Sequence, residues 1–143
     1  MKKAIVAILV FNLIMCNVIA QKASVKYDFT IAKDNSSIYH SIQEVLNLIP
    51  SGNTKPVRIY VKSGMYNEVV TVDTSKSNIT LIGEDKNNTL IEFNNHTGSR
   101  LANGEIINTR TSAACFIYGS NFQAQNICFS NQAGFDAGQA VAL

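Results

Sequence analysis

Asn78-Ile79-Thr80-Leu81 recurs as Asn126-Ile127-Cys128-Phe129, an Asn-Ile-x-apolar phrase at the head of a short strand pattern. Its interval of 48 residues fits two coils of a solenoid, whose repeats run roughly 20–45 residues each. An asparagine at a coil corner can satisfy its amide from neighbouring backbone. Around this phrase the chain breaks into short apolar runs at residues 57–61, 69–72, 79–82, 90–93, 114–118, 124–129 and 140–143. Clusters of Gly, Asn, Asp and Ser separate them and favour turns. No second helical period interrupts these runs, which disfavours a βαβ sheet. A sandwich, a barrel or a solenoid remains, and the recurrence favours the solenoid.

Upstream, residues 27–32 alternate like a strand, and a turn-rich stretch (Asp34-Asn35-Ser36-Ser37) leads into a helical period. Ile42, Val45, Leu46 and Ile49 fall at i, i+3, i+4 and i+7, on one face of a helix. Ser41 and Glu44 have capping-box spacing, and Pro50-Ser51-Gly52 ends the element. In a solenoid this helix would sit as a cap, covering the exposed edge of the first coil.

Residues 1–20 read as a secretory signal. Lys2 and Lys3 precede an apolar run over residues 4–15, broken only by Asn12, and Val18-Ile19-Ala20 places cleavage near Ala20. The run is too short to span a bilayer. A rival reading takes Cys16 as a lipoprotein acceptor, for which Met15 is a poor preceding residue. Residues 21–143 then form one domain, exported to an extracellular or periplasmic space, with no membrane attachment after cleavage. Removing the signal lowers the twelve Lys and Arg by two, to match the ten Asp and Glu. A neutral chain without a basic patch gives no sign of nucleic-acid binding. Cys115 and Cys128 survive cleavage; they are either a pair or free thiols packed as small hydrophobes.

A self-sufficient active site is not visible. His40 and His96 lie in no metal-ligand spacing and read as solvated, and there is no Gly-x-Ser-x-Gly elbow. Glu84-Asp85 follows Gly83 and looks like turn chemistry. Asp136 lies in a loop rich in glycine and also reads as a turn former. Sequons occur at Asn35, Asn78, Asn87 and Asn95. Gln139 opens the last apolar run directly after Gly138. A neutral amide there either donates to an oxyanion or caps a coil corner.

Six phrases in order resemble the pectin methylesterase (pectinesterase) family over most of the chain beyond the signal. Residues 41–50 (SIQEVLNLIP) are similar to the family's opening helix, and residues 57–68 (VRIYVKSGMYNE) to its v-IYVK-G-Y-E segment. Residues 78–84 (NITLIGE), 109–113 (TRTSA), 121–134 (NFQAQNICFSNQAG) and 139–143 (QAVAL) follow with near-family spacing. Ala114 departs from the Thr or Ser usual after the Ser-Ala pair.

This resemblance implies an all-β fold: a right-handed parallel β-helix, a single-stranded solenoid with a short N-terminal capping α-helix, truncated at its C-terminal end. It implies hydrolysis of galacturonate methyl esters in pectin, with methyl-esterified homogalacturonan as partner, a monomeric enzyme, and no metal or organic cofactor. One family aspartate attacks the ester carbonyl and another acts as general acid, then base; both would lie beyond Leu143. By this reading the chain carries no catalytic residue and is silent alone. Gln139 matches the glutamine of the oxyanion region, and Thr109 matches a polysaccharide-contact threonine. The alternatives are another pectin-active β-helix enzyme, such as a lyase, and a non-enzymatic carbohydrate-binding or structural solenoid.

Overall fold

The computed structural model describes residues 25–143, so the expected signal at 1–20 lies outside the described residues. The elements in chain order are β1 (Phe29–Ile31), α1 (Ile42–Leu48), β2 (Val57–Val61), β3 (Gly64–Asn67), β4 (Val70–Val72), β5 (Ile79–Gly83) and β6 (Thr89–Phe93). A 3-10 turn (Thr109–Thr111) precedes β7 (Cys115–Ile117), β8 (Gln123–Gln125) and β9 (Cys128–Asn131). Every named strand pairs in parallel. Three sheets result, with orders β1-β2-β5-β8, β3-β6-β9 and β4-β7. The chain visits them in rotation, so β2-β3-β4 form one coil, β5-β6-β7 the next, and β8-β9 begin a third. That is a parallel β-helix, as the sequence leads one to expect.

The interior is built by register. Phe29, Ile59, Leu81 and Ala124 stack on one wall, and Tyr66, Ile91 and Phe129 on another. Val70 over Cys115 and Val72 over Ile117 supply the third wall. Each fully buried Ile or Leu in these ladders contributes about 1.5–3 kcal/mol. The Tyr66 hydroxyl stays satisfied in this setting by donating to the Lys62 carbonyl at 2.9 Å, and burial pushes its pKa up to about 12.

The recurrence that favours a solenoid is not the repeat of this solenoid. Asn78 stacks on Asn121, 43 residues on, where the Asn121 amide donates to Asn78 Oδ1 at 3.0 Å. Both residues hold left-handed φ values, 56° and 55°, which asparagine tolerates better than most residues. They mark the corner entering the first sheet, and their interval is one coil rather than a part of two. Asn126 occupies a different corner, between β8 and β9, over Gly83. A Cβ on Gly83 would lie 2.0 Å from the Asn126 carbonyl oxygen, so only glycine fits beneath it. The expectation that corner asparagines bond to neighbouring backbone does hold, since the Asn78 amide donates to the Thr54 carbonyl at 3.3 Å.

Helix α1 caps the stack as expected, and its chemistry explains how. Ile42, Val45 and Leu46 are fully buried against the first coil. The Thr71 N–H of β4 donates to Gln43 Oε1 at 2.7 Å, and the Gln43 amide donates back to the Thr71 carbonyl at 3.3 Å. One side chain thus takes the part of a neighbouring strand on an edge that would otherwise be bare. The capping box is only half present. Ser41 Oγ accepts from the Glu44 N–H at 3.3 Å, but the Glu44 carboxylate reaches the His40 N–H instead of that of Ser41. Glu68 supplies the missing acceptor. Its carboxylate takes the Ser41 hydroxyl at 2.6 Å and the N–H groups of Ile42 and Gln43, each at 3.0 Å.

Three strand expectations are corrected. The run 124–129 is two strands, because left-handed Asn126 turns the chain from one sheet to the next. Strand β3 has Gly and Asn at its ends and no apolar alternation to announce it; pairing with β6 creates it. Residues 140–143 are not a strand. The carbonyls of Val141 and Ala142 accept from the consecutive amides of Ala114 and Cys115, whereas a parallel ladder uses alternate residues.

Candidate functional site

A long excursion between β6 and β7 breaks the regular coil and carries the site. Residues 94–114 fold back through an antiparallel bridge between Arg100 and Ile106, then enter the 3-10 turn. Asn108 caps that turn by accepting from the Arg110 and Thr111 N–H groups at 2.9 and 3.2 Å. The cap presents Thr109 on the surface at the first position of the turn. One coil later, the chain passes the same corner through residues 132–138 and delivers Gln139. The φ values of Gly134 and Gly138, 85° and 94°, allow that tight approach.

Thr109 and Gln139, the two residues singled out in the sequence, meet here. The Thr109 hydroxyl donates to Gln139 Oε1 at 2.8 Å across 30 residues of chain. Thr109 has a single hydroxyl proton, so the contact between the Thr97 and Thr109 hydroxyls at 3.1 Å is completed by Thr97 donating. Thr97 also fixes the backbone, its N–H donating to the Gln139 carbonyl at 2.8 Å. The result is a directed chain, Thr97 to Thr109 to Gln139 Oε1. All three side chains belong to exposed residues. Sequence reading missed Thr97, which sits in an irregular loop with no periodic signal.

Asn131 holds the corner together from below. Its amide lies within hydrogen-bond reach of the carbonyls of Asn95 at 2.9 Å, Ser112 at 3.1 Å and Val141 at 2.9 Å. Those carbonyls belong to the excursion, the end of the 3-10 turn and the segment after Gln139. Nearby, Glu92 is buried and accepts from the Gln132 amide at 3.1 Å.

The remaining candidates lie apart from this corner. His40 is exposed, its Nδ1 2.7 Å from the Ala32 carbonyl; His96 is half-buried, with Nδ1 3.1 Å from the Thr97 carbonyl. Glu84 and Asp85 are turn residues, as expected. The Ser63 N–H, 2.9 Å from Glu84 Oε2, holds the Glu84 pKa below its usual value, with further lowering from the Ser63 and Tyr60 hydroxyls and Lys62. Asp85 accepts from the Asn87 N–H at 2.7 Å. Asp136 is exposed. Among the described residues no group of three or more His, Cys, Asp or Glu could hold a metal ion. Cys115 and Cys128 are free and differ sharply, the first buried and the second exposed. Burial pushes the Cys115 thiol up to about 12.

Comparison with known proteins agrees with this architecture. The family model described as Pectinesterase matches residues 28–143. A probable pectinesterase/pectinesterase inhibitor 58 of Arabidopsis thaliana is 41% identical over 124 residues, covering 87% of this chain and 21% of that protein. A pectinesterase of Petunia integrifolia is 37% identical over 123 residues, covering 86% of this chain and 31% of that protein. Among solved structures, pectin methylesterase from carrot superposes with a TM-score of 0.72 at 30% identity, covering 86% of this chain and 37% of that one. A pectin methylesterase in complex with a hexasaccharide gives 0.72 at 26% identity, covering 84% and 39%. The chain therefore spans between about a fifth and two fifths of the length of these relatives.

Proposed function

The chain belongs to the pectinesterase family, and from that premise we propose that it serves the hydrolysis of methyl esters on galacturonate units of pectin. In that reaction a carboxylate attacks the ester carbonyl, the carbon–methoxy bond breaks, and methanol leaves with a proton from a general acid. Water then cleaves the acyl intermediate to free the galacturonate carboxylate. The residues described here hold the substrate: Gln139 Nε2 donates to the carbonyl oxygen as negative charge develops there, without adding a charge of its own. Thr109 orients that amide and meets the sugar chain. The nucleophile and the acid are contributed from outside residues 25–143. No metal or organic cofactor takes part. The protein works as a secreted monomer, freed from a signal cleaved near Ala20, on methyl-esterified homogalacturonan.

The observation that carries this reading is the 2.8 Å bond from Thr109 to Gln139 Oε1, made between two exposed residues. Calorimetric titration of the chain with a methyl-esterified galacturonate hexamer, beside a methanol-release assay, tests it. Binding without methanol release is the expected pair of results. Methanol release at rates ordinary for esterases would overturn the division of labour, and absence of binding would overturn the site.

A further inference from the structure

Four sequons run through the chain, at Asn35, Asn78, Asn87 and Asn95, and the fold treats them unequally. Asn35 and Asn87 are exposed, and among the described residues neither side chain makes a hydrogen bond. Each sits in a turn held by an aspartate just upstream. Asp34 Oδ1 accepts from the Ser36 N–H at 3.0 Å, and Asp85 Oδ1 accepts from the Asn87 and Asn88 N–H groups at 2.7 and 3.2 Å. Both turns belong to one corner of the solenoid. Lys62, which follows β2, donates to the Ser36 hydroxyl at 2.9 Å, and the Ser63 N–H donates to Glu84, which follows β5. Thr97, Thr109 and Gln139 occupy a different corner, after β6 and β9. The other two asparagines are engaged. Asn78 is half-buried with both ends of its amide against protein, donating to the Thr54 carbonyl at 3.3 Å and accepting from Asn121 at 3.0 Å. Asn95 is half-buried, its carbonyl accepts from the Asn131 amide at 2.9 Å, and its sequon ends on Thr97 of the binding corner.

We propose that in the folded chain Asn35 and Asn87 carry N-linked oligosaccharides while Asn78 and Asn95 stay bare. This inference rests on the export reading given above and adds which positions the secretory route modifies. The donor is an oligosaccharide carried on a lipid diphosphate. The asparagine Nδ2 bonds to the anomeric carbon of the first sugar, and the bond from that carbon to the diphosphate oxygen breaks. One amide proton passes to a base of the transferase, and the lipid diphosphate leaves. Timing follows from burial. Thr89, whose hydroxyl completes the Asn87 sequon, is fully buried, so transfer precedes the pairing of β6 with β3. What selects among the four sequons is therefore whether the finished fold has room for a sugar. A glycan on Asn35 or Asn87 extends into solvent, whereas one on Asn78 displaces the Thr54 contact and parts the stacked asparagines.

Expression of the full chain in a eukaryotic secretory host, beside a version with residues 1–20 exchanged for a leader of that host, tests this. The folded fraction, selected by gel filtration and circular dichroism, is trimmed with an endoglycosidase that leaves one sugar per site and is mapped by peptide mass spectrometry. A sugar on Asn35 and on Asn87 is expected, with none on Asn78 or Asn95. Asn35→Asp and Asn87→Asp keep the side-chain shape, and aspartate tolerates the left-handed backbone of position 35. Each should lose one glycan, and the double variant both. Glycans on these two residues only behind the host leader overturn the export reading and leave the site assignment standing. A bare Asn35 or Asn87 behind the host leader, or a sugar on Asn78 or Asn95 in the folded chain, overturns the assignment.

Discussion

Over β4, at the first end of the stack, the Gln43 amide takes the place of a strand and Glu68 the place of a helix cap. At the other end, Phe122, Ala124, Phe129 and Leu143 line an apolar groove of about 380 Å³. The first coil is thus covered by satisfied polar groups, while the last coil of this chain presents apolar side chains. A helix can close a solenoid only if it brings side chains that pair with the edge strand, because burying bare N–H and C=O groups is costly. Apolar packing alone leaves such an edge unanswered. The binding corner of Thr97, Thr109 and Gln139 lies toward that last coil, where backbone carbonyls of residues 139–142 accept from Thr97, Ala114 and Cys115.

The strongest way to break this comparison is to remove packing from each end in turn. Leu46→Ala should cost about 2–5 kcal/mol, because a fully buried side chain leaves a cavity beneath the helix. Leu143→Ala, at a residue 62% exposed, should change stability by less than about 0.5 kcal/mol. Urea unfolding followed by circular dichroism measures both; equal losses would mean that the two ends are equally packed. Next in size, Glu68→Ala removes a carboxylate that accepts three hydrogen bonds at the helix start. A loss of about 1.5–3 kcal/mol is expected, and a neutral result would show that solvent caps the helix as well.

Much of this contrast was legible in the sequence at one end and little at the other. The 3.6-residue period of Ile42, Val45, Leu46 and Ile49 announces the cap, because burial on one helix face writes itself directly into apolar spacing. Glu68 is silent in sequence, since its role depends on the β3–β4 turn bringing it under the helix. The recurrence that favours a solenoid pairs the wrong corners. Asn78 and Asn126 share a phrase because both sit in left-handed turns, yet the true neighbour of Asn78 is Asn121, followed by the less similar Phe122-Gln123. The excursion over residues 94–114 stretches that coil to 43 residues and hides the period. Thr109 and Gln139 emerge from the family phrases and Thr97 does not, because nothing local marks a loop residue that a later coil will touch.

Cysteine reactivity sharpens the comparison further. Cys128 is exposed on β9, whereas Cys115 lines the apolar groove from within with its thiol pKa raised to about 12 by burial. Alkylation at pH 8 followed by peptide mass mapping should modify Cys115 more than about tenfold more slowly than Cys128. Equal rates would mean that the groove end opens freely. The smallest effect concerns acid. The Glu84 carboxyl titrates below its usual 4.5 in the fold, chiefly through the Ser63 N–H. Its contribution is therefore complete above pH 4.5 and is lost as pH falls through the lower folded value. Glu84→Gln should flatten that acid limb slightly; an unchanged limb would remove Glu84 from it.

The direct test of the central claim is a double-mutant cycle on Thr109 and Gln139, read as affinity for a methyl-esterified galacturonate hexamer. If Thr109 acts by holding the Gln139 amide in its donating orientation, Thr109→Ala, Gln139→Ala and the double variant should all lose similar affinity, with a coupling of about 0.5–3 kcal/mol. Losses that simply add would show that the two residues touch the substrate independently and would contradict the account.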